Sequence, residues 1–176
     1  MTETTRSIPA PRQLEAAAQR ALDRLADIAI AVAAIALVGI VLVQGWQVFT
    51  RYVLNDSPSW TEPVTLLLLA TAMSFGAAAG VHTNRHFGFY LLAEKLPAAA
   101  RRVLYVARPL LVAAVGAMLA GWAALLLRDG LDIKIAGAAM PQSINYLPLS
   151  IGGALICVFA LNKAWLALRQ APAQGT

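Results

Sequence analysis

A chain of 176 residues that is 59% hydrophobic and 13% charged, with mean hydropathy +0.65, carries about half the charge of a soluble domain. Its apolar residues fall in runs of about 20, the length a helix needs to cross the hydrocarbon layer of a bilayer. A soluble enzyme or binding domain is thereby excluded, and the chain is expected to be an all-α integral membrane protein. The net charge of +5 does not indicate nucleic acid, because the basic residues gather at the ends of the apolar runs. The single cysteine, Cys157, excludes an internal disulfide and a cysteine metal cluster, and is expected as a small buried apolar residue.

The first 24 residues are a polar tail. Within it, residues 12–24 place Leu14, Ala18, Ala21 and Leu25 on one helical face and Arg12, Glu15, Gln19 and Asp23 on others. That pattern predicts an amphipathic helix lying along the headgroups. The first span is expected over 25–49, with Asp27 as its single charge. Its length and its distance from the start make it a retained span and not a cleaved signal. Further spans are expected over 61–82, 104–127 and 147–168. Helix is the only assignment for them, since a backbone in lipid must satisfy its own hydrogen bonds and these runs lack the alternation of a barrel strand. Residues 86–96 are too short to span and rich in Phe, Tyr and Leu, so a second surface helix is expected there, ended by Pro97. Pro109 is expected to open the fully buried part of the third span. Domains follow: a tail at 1–24, one transmembrane domain at 25–168 and a tail at 169–176.

Orientation follows from Lys and Arg near the span ends. Eleven stand on one side: Arg6, Arg12, Arg20, Arg24, Arg85, Lys95, Arg101, Arg102, Arg108, Lys163 and Arg169. Three stand on the other: Arg51, Arg128 and Lys134. Both termini are therefore expected in the cytoplasm, with the 50–60 and 128–146 loops outside.

The outer 49–63 loop, FTRYVLNDSPSWTEP, holds the most specific residues. Trp60 and Tyr52 suit the aromatic belt where bilayer meets water. Asn55, Asp56, Ser57 and Pro58 are turn residues. Ser59 and Glu62 fit a capping box for the second span, or else Thr61 is the cap with Glu62 and Pro63 in the first turn. Arg51 stands against the charge bias and is expected to pair with Asp56 or Glu62, or with an acid on a partner. His82 and His86 have the spacing of a helical metal pair, but no nearby acid or cysteine completes a site, and His86 is better read as an interfacial hydrogen-bonding group beside Arg85.

No nucleophile–base pair or phosphate loop occurs. Within the spans the polar residues are Gln44, Thr65, Thr71 and Ser74 and little else, which is ordinary interhelical bonding and not a translocation pathway. Small residues are abundant instead. Gly76 and Gly80 share a face with Ala72, and Gly116 and Gly121 stand with Ala113, Ala117 and Ala120. Such faces serve packing within the bundle or docking against another membrane subunit.

Arg51-Tyr52-x-x-Asn55 followed by Trp60-x-Glu62 at the head of a second span resembles the small membrane subunit of tripartite ATP-independent periplasmic (TRAP) transporters, the DctQ-like family. So do Asn84-Arg85-His86, Leu96-Pro97, Met140-Pro141 and Tyr146-Leu147-Pro148-Leu149, in that order along four spans. The resemblance covers roughly 25–168. Two positions depart from the family: Pro63 stands where a second acid often follows the glutamate, and Phe89-Tyr90 where an Asp often follows the histidine. Contacts made by those acids are not carried over.

The resemblance implies an inner-membrane subunit with no catalytic residue, metal or cofactor of its own, serving import of small organic acids. It implies a large multi-span permease partner that carries substrate and sodium, and a periplasmic substrate-binding protein. The expected contact surface is Arg51, Tyr52, Asn55, Asp56, Trp60 and Glu62 with Arg128, Asp129, Asp132 and Lys134, while Arg85 and His86 mark the cytoplasmic edge. Two rivals are an autonomous small exporter and a haem-bearing anchor of a redox complex.

Overall fold

The computed structural model describes residues 11–83, 98–135, 137 and 140–170. Helix α1 runs Pro11–Phe49 and is extended by a π-helical turn, Thr50–Leu54. Helix α2 spans Thr61–His82, α3 Ala98–Asp129 and α4 Leu147–Gln170, the last preceded by a 3-10 turn at Gln142–Tyr146. Among the described residues these four helices are long and apolar enough to cross a membrane, and the sole β pairing is an isolated bridge between Lys134 and Pro141. The chain is an all-α membrane protein.

The extensive helix contacts run in the order α1–α2–α4–α3. The two end helices, α1 and α3, therefore each have one main neighbour and one open side. Their open sides are apolar: Ile35, Val41 and Leu42 on α1, and Leu111 and Trp122 on α3, are each at least 65% exposed. In water this would be an aggregation surface, whereas in a bilayer it meets lipid or other helices.

The buried positions are almost all alanine. Ala26, Ala29, Ala33 and Ala36 line one stripe of α1; Ala72, Ala78 and Ala79 lie on α2, Ala113 and Ala123 on α3, and Ala160 and Ala164 on α4. Lipid gives no hydrophobic drive for helices to associate, so close backbone approach must hold them through dispersion. The tightest approach joins α3 and α4, where a Cβ added to Gly116 would lie 2.8 Å from the Cys157 nitrogen, and one added to Gly153 would lie 2.7 Å from the Ala120 nitrogen. A Cβ on Gly152 would lie 2.5 Å from the Ser74 Cβ, so α2 and α4 meet there as closely. Phe159, fully buried with Ala26 and Ala78, is the one large side chain in the core.

Several expectations change. Residues 12–24 are the opening turns of α1, continuous with the span, and form no separate surface helix. No proline or glycine interrupts the run before Gly39. The supposedly lipid-facing Ala18, Ala21 and Leu25 are exposed, while Glu15, Gln19 and Asp23 bond to other helices. Pro109 lies inside α3, which begins at Ala98, and the buried residues of that helix, Ala113, Gly116 and Ala123, follow it. Cys157 is half-buried, since its backbone and not its side chain receives Gly116. The expected surface helix at 86–96 lies outside the described residues.

Candidate functional site

The two ends of the helix row differ in character. At the loop end, α1 does not stop cleanly. Its last turn widens, the Thr50 hydroxyl donates to the Trp46 and Gln47 carbonyls at 3.0 and 3.1 Å, and the Asp56 amide donates back to the Thr50 carbonyl at 3.1 Å. Asn55 ends the turn at φ +50°, a left-handed position that asparagine tolerates. Arg51 and Tyr52 are lifted outward as a result, with Tyr52 80% exposed.

Neither proposed cap of α2 forms. Trp60 is the capping position and makes no side-chain cap bond. The Thr61 hydroxyl, fully buried, donates to the Pro58 carbonyl at 2.8 Å. The Ser59 hydroxyl donates to the Gly137 carbonyl at 3.0 Å, across to the other loop. That second loop folds on itself, with the Ile135 amide donating to Met140 and the Gln142 amide to Ile133. Gly137 sits at φ +86°, and a Cβ there would lie 2.7 Å from the Ser59 carbonyl oxygen. Glycine is required twice over, by conformation and by space. Residues 55–60 are thus fastened to residues 133–135, 137 and 140–142 in one surface.

On that surface Arg51, Tyr52, Asn55, Asp56, Trp60, Glu62, Arg128, Asp129, Asp132 and Lys134 are all exposed. The expected pairing of Arg51 with Asp56 or Glu62 does not occur: none of these charged groups makes an ion pair among the described residues. The surface presents three cations and four carboxylates to its surroundings.

At the tail end several polar groups are joined. Asp23 of α1 accepts from the His82 ring of α2 at 2.8 Å, and that ring rests against Phe159 of α4 at 4.8 Å between centroids. Asn162 of α4 donates to Gln19 at 3.2 Å, Lys163 donates to the Val81 carbonyl, and Arg169 pairs with Glu15 while lying 4.5 Å over Trp165. Glu15, Gln19 and Asp23 are spaced by four along one ridge of α1, and that ridge meets neighbouring helices where the amphipathic pattern predicts a water-facing side. His82 is therefore a hydrogen-bonding partner of Asp23, and no cluster able to hold a metal occurs among the described residues. Arg85, His86 and Tyr90 lie outside them.

Of the glycines expected at helix contacts, Gly116 is buried between α3 and α4, Gly80 is half-buried, and Gly76 and Gly121 are exposed. The Gly152-Gly153 pair of α4, which makes the closest contacts, was missed, although adjacent glycines in an apolar run were visible. Gln44 donates to Thr65 at 3.2 Å and bridges α1 to α2, as expected of interhelical bonding.

The family model described as "Tripartite ATP-independent periplasmic transporters, DctQ component" matches residues 40–170. The chain belongs to this family. It is also 29% identical over 119 residues, covering 67% of this chain and 68% of the relative, to the sialic acid TRAP transporter small permease protein SiaQ of Vibrio cholerae serotype O1. The chain is accordingly a multi-pass TRAP transport subunit and not an enzyme.

Proposed function

We propose that this chain is the small permease subunit of a sodium-coupled tripartite importer of small organic acids in a bacterial inner membrane. It acts as scaffold for a large permease subunit, which carries substrate and sodium, and needs no cofactor of its own. The observation that carries this reading is the helix interior. Among the described residues the buried polar side chains are Thr50, Thr61, Ser74 and Ser143, and only Ser74 lies well inside a span. A path for an organic anion needs polar or ionisable groups near the midplane. Here that depth is filled by alanine and glycine.

The distribution of Lys and Arg supports both termini in the cytoplasm, which makes the loop end periplasmic. On that reading the fastened loops, with their unpaired charges, are part of the docking surface for the substrate-binding protein. Such charges steer encounter and set register more than they add affinity. Deleting the chain while retaining the large subunit and the binding protein tests the role: uptake is expected to be lost, and unimpaired uptake refutes it.

A further inference from the structure

The tail-end stretch of α1 sorts its charges by direction. Glu15, Gln19 and Asp23 follow the ridge that meets the other helices, and each has a partner there: Arg169, Asn162 and His82. Arg20 and Arg24 point the other way. At about 100° per residue, both project within roughly 20° of the direction opposite the Ala26/Ala29/Ala33/Ala36 stripe. Both are exposed. Arg24 makes no hydrogen bond or ion pair among the described residues, and Arg20 engages only its Nε, which donates to the Ala16 carbonyl of its own helix at 3.1 Å. Two cations one turn apart are thus turned away from the acids that join α1 to the bundle.

The same direction continues along α1 as a strip that crosses the bilayer. Ile35, Leu42 and Phe49 lie within about 40° of it and are exposed. Phe49 packs against Trp46 at 6.0 Å between ring centroids, an aromatic pair suited to a bilayer edge. Arg24 and Phe49 are about 38 Å apart along the helix at 1.5 Å per residue. A hydrocarbon core of roughly 30 Å with part of a headgroup layer on each side has that height. The pairing of helices gives the same level: Asp23, the neighbour of Arg24, bonds to His82, the last residue of α2. Arg20 and Arg24 therefore stand at the headgroups, and the aliphatic side chains beneath them at the acyl chains.

Asp27 is the acid nearest this strip, three residues from Arg24 and about 4–5 Å deeper. That depth does not suit a lipid ammonium group, which lies outward of its phosphate. The spacing instead puts Asp27 within reach of the Arg24 guanidinium from below, and the two arginines still leave the cluster positive.

We propose that Arg20 and Arg24 bind the phosphate of an anionic phospholipid in the leaflet at the tail end, with its acyl chain laid along Ile28 and Ile35. A guanidinium presents a fork of donors that matches phosphate oxygens, and its long stem reaches the headgroup layer. Ile35 lies about 17 Å below Arg24, near the depth at which one leaflet ends. The assignment holds whichever side of the membrane the tail end faces, and it does not depend on the scaffold role.

The test uses the full chain in nanodiscs of equal parts phosphatidylglycerol and phosphatidylcholine, with a photo-crosslinking residue in place of Ile28 or of Leu42, which lies in the other leaflet. Mass spectrometry reads the ratio of the two lipid adducts. Phosphatidylglycerol is expected to be favoured about five-fold or more at 28, and not at 42. Arg20→Gln with Arg24→Gln is expected to bring the ratio at 28 close to one. Arg169→Gln, which removes a cation of the same leaflet already paired with Glu15, should leave it unchanged, and Asp27→Asn should hold or raise it. Equal adducts at 28, equal enrichment at 42, a ratio unmoved by the double variant, or the same loss from Arg169→Gln would each overturn the site. So would a protein adduct in place of lipid at 28 in membranes that also hold the large subunit.

Discussion

The tail end and the loop end of the helix row both carry polar residues and use them differently. At the tail end, Asp23, His82, Gln19, Asn162, Glu15 and Arg169 bond across three helices. At the loop end, the backbone and three hydroxyls do the fastening, through Thr50, Thr61, Ser59 and Gly137, and seven charged side chains remain without ion-pair partners among the described residues. Among the described residues, several polar groups are joined across helices at one end and the charges of the other are displayed, which gives an end built for stability and an end available for recognition. Between the two, Gly116, Gly152 and Gly153 set the spacing of α2, α3 and α4.

The comparison breaks first where spacing is set. Gly153→Val forces side-chain atoms against the Ala120 backbone and the Gly116 carbonyl. Overpacking of this kind costs about 1–3 kcal/mol, and more where the obstacle is backbone. A lowered melting temperature of the purified chain in detergent is the expected readout. At the loop end, Gly137→Ala imposes an unfavourable φ and a clash with Ser59, a loss of about 1–2 kcal/mol. Ser59→Ala removes one hydrogen bond, about 1 kcal/mol. Faster amide exchange confined to residues 133–135 and 140–142 should follow both, with the tail end unaffected.

Replacing charges separates the ends further. Arg128→Glu with Lys134→Glu is expected to leave the melting temperature unchanged, because neither residue has an ion-pair partner among the described residues. It should still slow uptake that depends on the binding protein, most visibly at low salt, where exposed charges are least screened. The smallest effect belongs to the tail end. A double-mutant cycle on Glu15 and Arg169, both about half exposed, should return a coupling of about 0–1 kcal/mol. A coupling there larger than the cost of Gly153→Val would invert the ranking.

Much of the fold was legible because lipid leaves few choices. Runs of about 20 apolar residues must be helices, and the four appear at the expected places in the chain. The alanine stripe 26-29-33-36 was also on the page, as alternating steps of three and four. What could not be read was partnership. A ridge of Glu15, Gln19 and Asp23 looks the same whether it faces headgroups or a neighbouring helix, and only the placement of His82, Asn162 and Arg169 decides. The cap of α2 was missed for the same reason: Ser59 has a local use, but its hydroxyl is taken by Gly137, 78 residues away in sequence. Arg51 was expected to find a local acid, and the π-helical turn lifts it outward instead.

The most direct test of the account is reconstitution of the large subunit into liposomes with and without this chain, supplied with the binding protein, its organic-acid substrate and a sodium gradient. The account predicts uptake only when both membrane chains are present and none from this chain alone. Equal uptake by the large subunit without it, or uptake by this chain alone, would contradict it.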